Sequence, residues 1–253
     1  MNVLSLLRDL FFPPACPGCG LRMPPNTTSS AIAYFCSDCA KKWERSLLKQ
    51  CPECFAAYCD CRCQPKVMER AGCAGLVKLA PYRHEGETVV IERVVLGMKD
   101  HPRDRYFACC AEALAPLVKD AIQELEENTP ISHTVIGYLP RSARKVRHLG
   151  FDQAREIAKK LAAYTGLPFC RVLVRVKDGA PQKSLTLQAR QANVKGAFAC
   201  KGSVKGLRVL LVDDLVTTGA GMAEGARTLL RNGAAQVLAV SVAVTPKAKT
   251  AKG

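Results

Sequence analysis

The chain has 253 residues, 48% of them apolar, and carries 37 basic and 22 acidic side chains for a net charge of +15. This length allows one large domain or a modest domain with a small one, the apolar fraction is that of a globular protein, and no apolar run is long enough for a membrane span. Residues 141–253 hold 21 basic and six acidic side chains, which is the whole excess, so a polyanionic ligand (a pyrophosphorylated sugar or a nucleic acid) competes there with simple solubility as the reason for the charge.

Residues 1–12 read as a short amphipathic helix, apolar at Val3, Leu4, Leu6, Leu7, Leu10, Phe11 and Phe12, that runs into Pro13-Pro14. The segment lacks a basic leader and carries Arg8 and Asp9, so it is not read as a signal peptide, and a cytoplasmic location is expected. Nine of the 14 cysteines then fall between Cys16 and Cys63. Cys16-Pro-Gly-Cys19, Cys36-Ser-Asp-Cys39 and Cys51-Pro-Glu-Cys54 are tight turns that aim two thiolates at one ion, and Cys59, Cys61 and Cys63 follow without forming a clean pair. Without a signal peptide this pattern favours zinc over disulfides, in closed tetrahedral sites that are structural. These nine cysteines are the candidate ligands of one or two Zn2+. The pairing is open between sequential and interleaved, and one of the last three can be spare. Cys73, Cys109, Cys110, Cys170 and Cys200 read as small buried hydrophobes. Lys41, Lys42 and Arg45 around Trp43 read either as a nucleic-acid patch or as a solvated helix face with Trp43 packed inward.

Beyond the cysteines, apolar runs at 74–79, 134–139, 169–176, 209–212 and 237–244 alternate with helical patterns at 87–98, 104–125, 151–165 and 222–232. That alternation predicts a mostly parallel sheet with helices on both faces. The expected division is an amino-terminal helix and cysteine module over 1–66, an α/β domain over 67–246 and a basic tail over 247–253.

The most informative segment is Val209-Leu-Leu-Val-Asp213-Asp214-Leu-Val-Thr217-Thr218-Gly219-Ala220-Gly221. A buried strand, a loop of small residues and a helix amino-terminus make an anion site, because backbone N–H groups and the helix dipole both favour negative charge. The paired carboxylates cannot share that phosphate and suit neighbouring hydroxyls or a divalent cation. A ligand with a phosphate beside a diol is a ribose 5-phosphate.

This segment resembles the PRPP-binding motif of type I phosphoribosyltransferases. Joined to a double zinc ribbon, it resembles the ComF family of bacterial competence proteins. Supporting motifs are Leu10-Phe-Phe-Pro-Pro14, Leu139-Pro140 followed by a basic run, Gly150-Phe-Asp-Gln153, and the spaced Gln182, Leu185, Arg190, Asn193, Gly196 and Phe198. The resemblance implies a type I phosphoribosyltransferase-like fold. It implies that Asp213 and Asp214 accept from the ribose hydroxyls and that Thr217, Thr218, Gly219, Ala220 and Gly221 wrap the 5-phosphate. Leu139, Pro140 and Arg141 would lie at the pyrophosphate, and Gln182 and Arg190 would sit in a hood over the site. Asp213, Asp214 and Arg141 are the implied catalytic groups, with Mg2+ bound alongside PRPP. The family's association with natural transformation implies handling of incoming single-stranded DNA beside a helicase-like ATPase, either as a transferase of unknown acceptor or as a non-catalytic adaptor. Three residues depart from the family pattern. Gly221 replaces a hydroxyl residue, Leu149 replaces an Arg, and Asp152 replaces an Asn and adds a negative charge near an anion site.

Overall fold

The computed structural model describes residues 14–23, 34–82, 89–100, 104–177 and 194–246. The expected leading helix, the hood residues Gln182 and Arg190, and the basic tail lie outside these residues.

Two cysteine knuckles open the described chain, and they repeat one turn. Cys16 and Cys51 accept at their carbonyls from the N–H of Gly20 and Phe55, at 2.8 and 2.9 Å. Both of these residues have left-handed φ, +77° at Gly20 and +62° at Phe55. The turn needs that conformation one residue after the second cysteine. Glycine adopts it without strain, whereas Phe55 holds it at a cost. Helix α1 (Ser37–Leu47) follows the first knuckle. It turns Trp43 inward, where the indole is buried and stacks on Phe35 at 4.8 Å between ring centroids. This excludes Trp43 from a nucleic-acid patch and leaves Lys41, Lys42 and Arg45 on the exposed side of the helix. Truncating an aromatic so placed costs about 3–5 kcal/mol.

A short helix α2 (Lys66–Glu69) leads into strand β1 (Cys73–Pro81). Helices α3 (Val89–Asp100) and α4 (Asp104–Asn128) precede β2 (Thr134–Tyr138), and α5 (Ala143–Leu149) and α6 (Gln153–Thr165) follow it. The chain continues through β3 (Leu173–Arg175), β4 (Phe198–Cys200), β5 (Arg208–Val216), α7 (Ala220–Arg231) and β6 (Gln236–Val244). Strands β1, β6, β5 and β2 form a four-stranded sheet in that order, parallel at every pairing. Side-chain alternation along β5 shows why both faces are covered. Leu210 and Val212 pack with Leu114 of α4 and Ile157 and Leu161 of α6, while Val209 and Leu211 pack with Ala223, Ala226 and Leu229 of α7.

The run at 169–176 does not form one strand of this sheet. Phe169 makes a single parallel bridge to Ile136, and the chain then turns at Val172, whose N–H donates to the Cys170 carbonyl at 3.1 Å. This i→i+2 turn re-aims the backbone, so β3 pairs instead with β4 in a separate two-stranded antiparallel sheet.

The cysteine module shares the cores of the sheet. Cys16, Cys39 and Trp43 belong with α3, α4 and α6 on one face, while Cys51, Cys61 and Met68 belong with α7 on the other.

Candidate sugar-phosphate site and metal centres

In a parallel sheet, ligands bind outside the carboxyl ends of the strands. Here β5 is internal and β2 lies beside it, so the residues after both strands meet. The loop after β2 is tied to β5 by the Leu139 N–H, which donates to the Val212 carbonyl at 2.9 Å. That bond brings Leu139, Pro140 and Arg141 alongside Asp213 and Asp214. The Arg141 guanidinium donates to the Asp214 carboxylate at 2.6 Å, and the Lys99 ammonium of α3 lies 3.7 Å from the same oxygen. Asp214 is buried, so these two cations offset a charge that water does not reach.

Asp213 is partly buried, and its Oδ1 accepts from the Asp214 N–H at 2.9 Å. Burial pushes the Asp213 carboxyl well above the usual carboxylate range. The neighbouring Asp214 charge pushes the same way, while Arg141 opposes it.

Beyond the carboxylates, Thr217 is exposed, Thr218 is partly so, and the Thr218 Oγ1 accepts from the Ala220 N–H at 3.4 Å. Gly219 stands at the N-cap of α7 with φ +76° and offers no side-chain cap to the helix. The first-turn N–H donors there are free of a capping side chain from Gly219, and the helix dipole favours an anion at this end. Gly221 faces the neighbouring loop, because a Cβ added there would lie 3.2 Å from Leu139 Cδ2. The missing hydroxyl at this position therefore coincides with tight packing against Leu139.

The structure accounts for Asp152 differently from the expectation of added negative charge. Its side chain is buried at the N-cap of α6, where Oδ2 accepts from the Arg141 N–H at 2.9 Å and Oδ1 from the Arg155 N–H at 3.5 Å. Burial raises its pKa, and the two backbone donors oppose that. Asp152 thus holds the Arg141 loop in place. Neither Asp152 in this role nor Lys99 was found by sequence reasoning. The helical signal at 151–165 could have marked Asp152 as a cap, but nothing local marks Lys99, which reaches Asp214 from another element. Glu224 of α7 is likewise buried, accepting from the Gly196 N–H at 2.7 Å and from Arg227 at 3.0 Å.

The cysteines gather sequentially. Cys16, Cys19, Cys36 and Cys39 form one group and Cys51, Cys54, Cys61 and Cys63 another, with the ligand atoms in each group within 4.8 Å of one another. A tetrahedral ion bound at 2.3 Å sets its sulfurs roughly 3.8 Å apart, and the Cys16–Cys36 and Cys19–Cys36 sulfur separations are 3.8 and 3.6 Å. Backbone N–H groups also donate to sulfur, from Cys36 to Cys16 and from Cys63 to Cys61, each at 3.3 Å. Both groups therefore fit a metal ion. Cys59, counted among the expected ligands, lies outside both groups with its thiol 3.5 Å from Asp60 Oδ1. A cavity of about 640 Å³ lies beside the first group, between Cys19, Cys36 and Cys39 and the start of α3 at Val90 and Arg93. It belongs to the module interface rather than to the end of β5.

Comparison with known proteins agrees with this arrangement. Residues 146–252 match the phosphoribosyl transferase domain family. Competence protein F of Haemophilus influenzae is 32% identical over 92 residues, which span 35% of this chain and 40% of its own. The DNA utilization protein YhgH of Salmonella typhi is 30% identical over 207 residues, covering 80% of this chain and 86% of its own. The chain belongs to the ComF/YhgH family. Its ComF/YhgH architecture, a parallel α/β sheet behind two cysteine clusters, is the one the sequence implied. A solved structure, TT1426 from Thermus thermophilus, matches 58% of the ComF/YhgH chain and 85% of its own at 20% identity. Its TM-score is 0.31, too low to carry an argument.

Proposed function

We propose that the carboxyl end of β5 binds the ribose 5-phosphate moiety of PRPP, and that this serves the handling of DNA taken up by the cell. The observation that carries the reading is the juxtaposition of Asp213 and Asp214 with the Gly219-capped start of α7. Carboxylates for a diol and N–H donors for a phosphate stand side by side on one rigid strand–helix unit. Arg141, paired with Asp214, is the cation this reading assigns to the diphosphate. Asp213 and Asp214 offer hard oxygen donors of the kind Mg2+ takes. When bound with the diphosphate, Mg2+ supplies positive charge to a leaving group.

In this reading Arg141 leaves Asp214 when a sugar phosphate enters, and its guanidinium turns to the diphosphate while the diol hydroxyls take its place. Loss of pyrophosphate builds positive charge on the sugar, which the Asp214 carboxylate, and Asp213 once ionised, offset electrostatically. In this reading the protein works in the cytoplasm beside a helicase-like ATPase. Among the described residues no helix is long and apolar enough to cross a membrane.

Calorimetry with PRPP and Mg2+ tests the reading on the wild type and on Asp213→Asn with Asp214→Asn. Heat from the wild type and none from the double variant supports it. Silence from both removes its basis. A second reading, a single-stranded-DNA adaptor without turnover, is favoured by the concentration of the entire net charge in residues 141–253. Gel shifts across salt concentrations test it, since a backbone-phosphate contact loses affinity steeply as salt rises.

A further inference from the structure

We propose that the second cysteine cluster, Cys51, Cys54, Cys61 and Cys63, is a metal-dependent support for the phosphate loop, so that order at residues 217–221 follows metal loading of this cluster and not of the first. The inference rests on the sugar-phosphate reading only where ligand affinity is concerned.

The connection is short and made of packed atoms. Cys63 is followed two residues later by Pro65, whose carbonyl accepts from the Met68 N–H at 2.8 Å to start α2. Pro65 and Met68 are seated on Gly219. A Cβ built on Gly219 would lie 2.9 Å from Met68 Sδ and 3.1 Å from Pro65 Cβ. Met68 is fully buried, so no water layer separates it from the loop. Gly219 is the residue whose left-handed φ starts α7, and a shift of Met68 is therefore felt at the turn that aims the N–H donors.

The cluster itself is anchored to the sheet edge. Lys78 of β1 is buried, with its ammonium donating to the carbonyls of Cys61 and Cys63 at 2.7 and 3.0 Å and lying 3.3 Å from Cys61 Sγ. Four thiolates around a divalent ion leave two negative charges, and a buried ammonium beside them offsets one. Gln64 donates to the Cys73 carbonyl at 2.9 Å, and the Leu76 N–H donates to the Arg62 carbonyl at 3.2 Å. The segment is thus fixed at β1 on one side and presses on Gly219 on the other. The metal would close the knuckle between them, because four thiolates gathered without an ion repel one another.

Among the described residues the first cluster has no such route. Cys16 and Cys39 pack on the opposite face of the sheet from α7. Gly18 meets α3 near its start, at Val90 and at Arg93, which donates to the Gly18 carbonyl at 3.1 Å.

The test uses the full chain in four variants: Cys51→Ser with Cys54→Ser, Cys16→Ser with Cys19→Ser, Met68→Ala and Met68→Leu. Three readouts are zinc per chain, amide hydrogen exchange at residues 217–221, and affinity for ribose 5-phosphate. Each cysteine pair variant is expected to lose one zinc, but only the Cys51 and Cys54 variant should speed exchange at 217–221 by tenfold or more. Met68→Ala keeps both zinc ions and still speeds that exchange, and Met68→Leu restores it. Affinity falls in the Cys51 and Cys54 variant and in Met68→Ala. Wild-type exchange at 217–221 in the Cys51 and Cys54 variant, equal acceleration in the Cys16 and Cys19 variant, or wild-type behaviour of Met68→Ala overturns the inference. Should the Cys51 and Cys54 variant fail to fold, removal by a chelator of the one zinc left in the Cys16 and Cys19 variant takes its place, and unchanged exchange at 217–221 after that removal overturns the inference. A wild type that binds no ribose 5-phosphate defeats the sugar-phosphate reading alone, since the exchange readout needs no ligand.

Discussion

The Arg141 guanidinium and the Asp214 carboxylate meet at 2.6 Å, joining the loop after β2 to the end of β5. The ion pair holds the loop against the strand end, with a cation resting on the carboxylate that the proposed reading assigns to a sugar diol. Asp152 reinforces this from the other side by accepting the Arg141 backbone N–H.

Removing the Arg141 side chain leaves Asp214 buried with Lys99, at 3.7 Å, as its remaining cation. Arg141→Ala is expected to lower stability by about 1.5–3 kcal/mol, the size of a hydrogen bond to a charged group. Adding Asp214→Asn should recover part of that loss, because the two changes act on one pair. Urea unfolding of the two single variants and the double variant measures this, and strict additivity would show that the pair is not coupled.

Asp213 carries a pH signature. Its folded pKa is raised, so in the pH interval between the unfolded and folded values the folded state holds a proton that the unfolded state has released. Its contribution to stability is fully present below the ordinary carboxylate range and is lost as pH rises through the folded pKa. Asp213→Asn removes that penalty and can still accept the Asp214 N–H. The variant should melt higher than wild type at pH 7, with the difference vanishing near pH 4, while ribose 5-phosphate binding is lost. Melting curves across pH check the sign.

Gly221 and Leu139 form a size-matched pair. Gly221→Thr restores the hydroxyl of the family pattern but sets its Cβ 3.2 Å from Leu139 Cδ2. The expected cost is about 1–3 kcal/mol of overpacking. Leu139→Val added to Gly221→Thr should relieve most of it and yield tighter phosphate binding than wild type. Calorimetry and melting of the single and double variants test both halves of the statement.

The two cysteine groups predict two zinc ions per chain. Cys59→Ser should retain both, and Cys61→Ser should retain one. Trp43, the sole tryptophan, stacks on Phe35 in the core that also contains Cys16 and Cys39. Chelation should therefore shift its fluorescence emission to the red. Metal analysis and emission spectra read the two effects separately. A Cys61→Ser protein with two zinc ions would reassign the ligand set.

The sequence by itself determined the parts that neighbouring residues encode. The apolar run before Asp213-Asp214, the small residues before α7 and the Cys-x-x-Cys turns are written in consecutive positions, because strand burial, helix starts and metal knuckles each need a local pattern. The Gly-Phe-Asp-Gln motif is visible in the sequence too, but the role of its Asp as a helix cap and a loop anchor is set by the fold. Only the tertiary structure decided which of Cys59, Cys61 and Cys63 face a common point, why the 169–176 run breaks at Val172, and that Lys99 reaches Asp214. It also decided that Met68 sits on Gly219 and Lys78 on the second cluster. These contacts join residues that are distant in the chain, and they arise where packed elements converge, a relation that no periodicity or spacing along the sequence records.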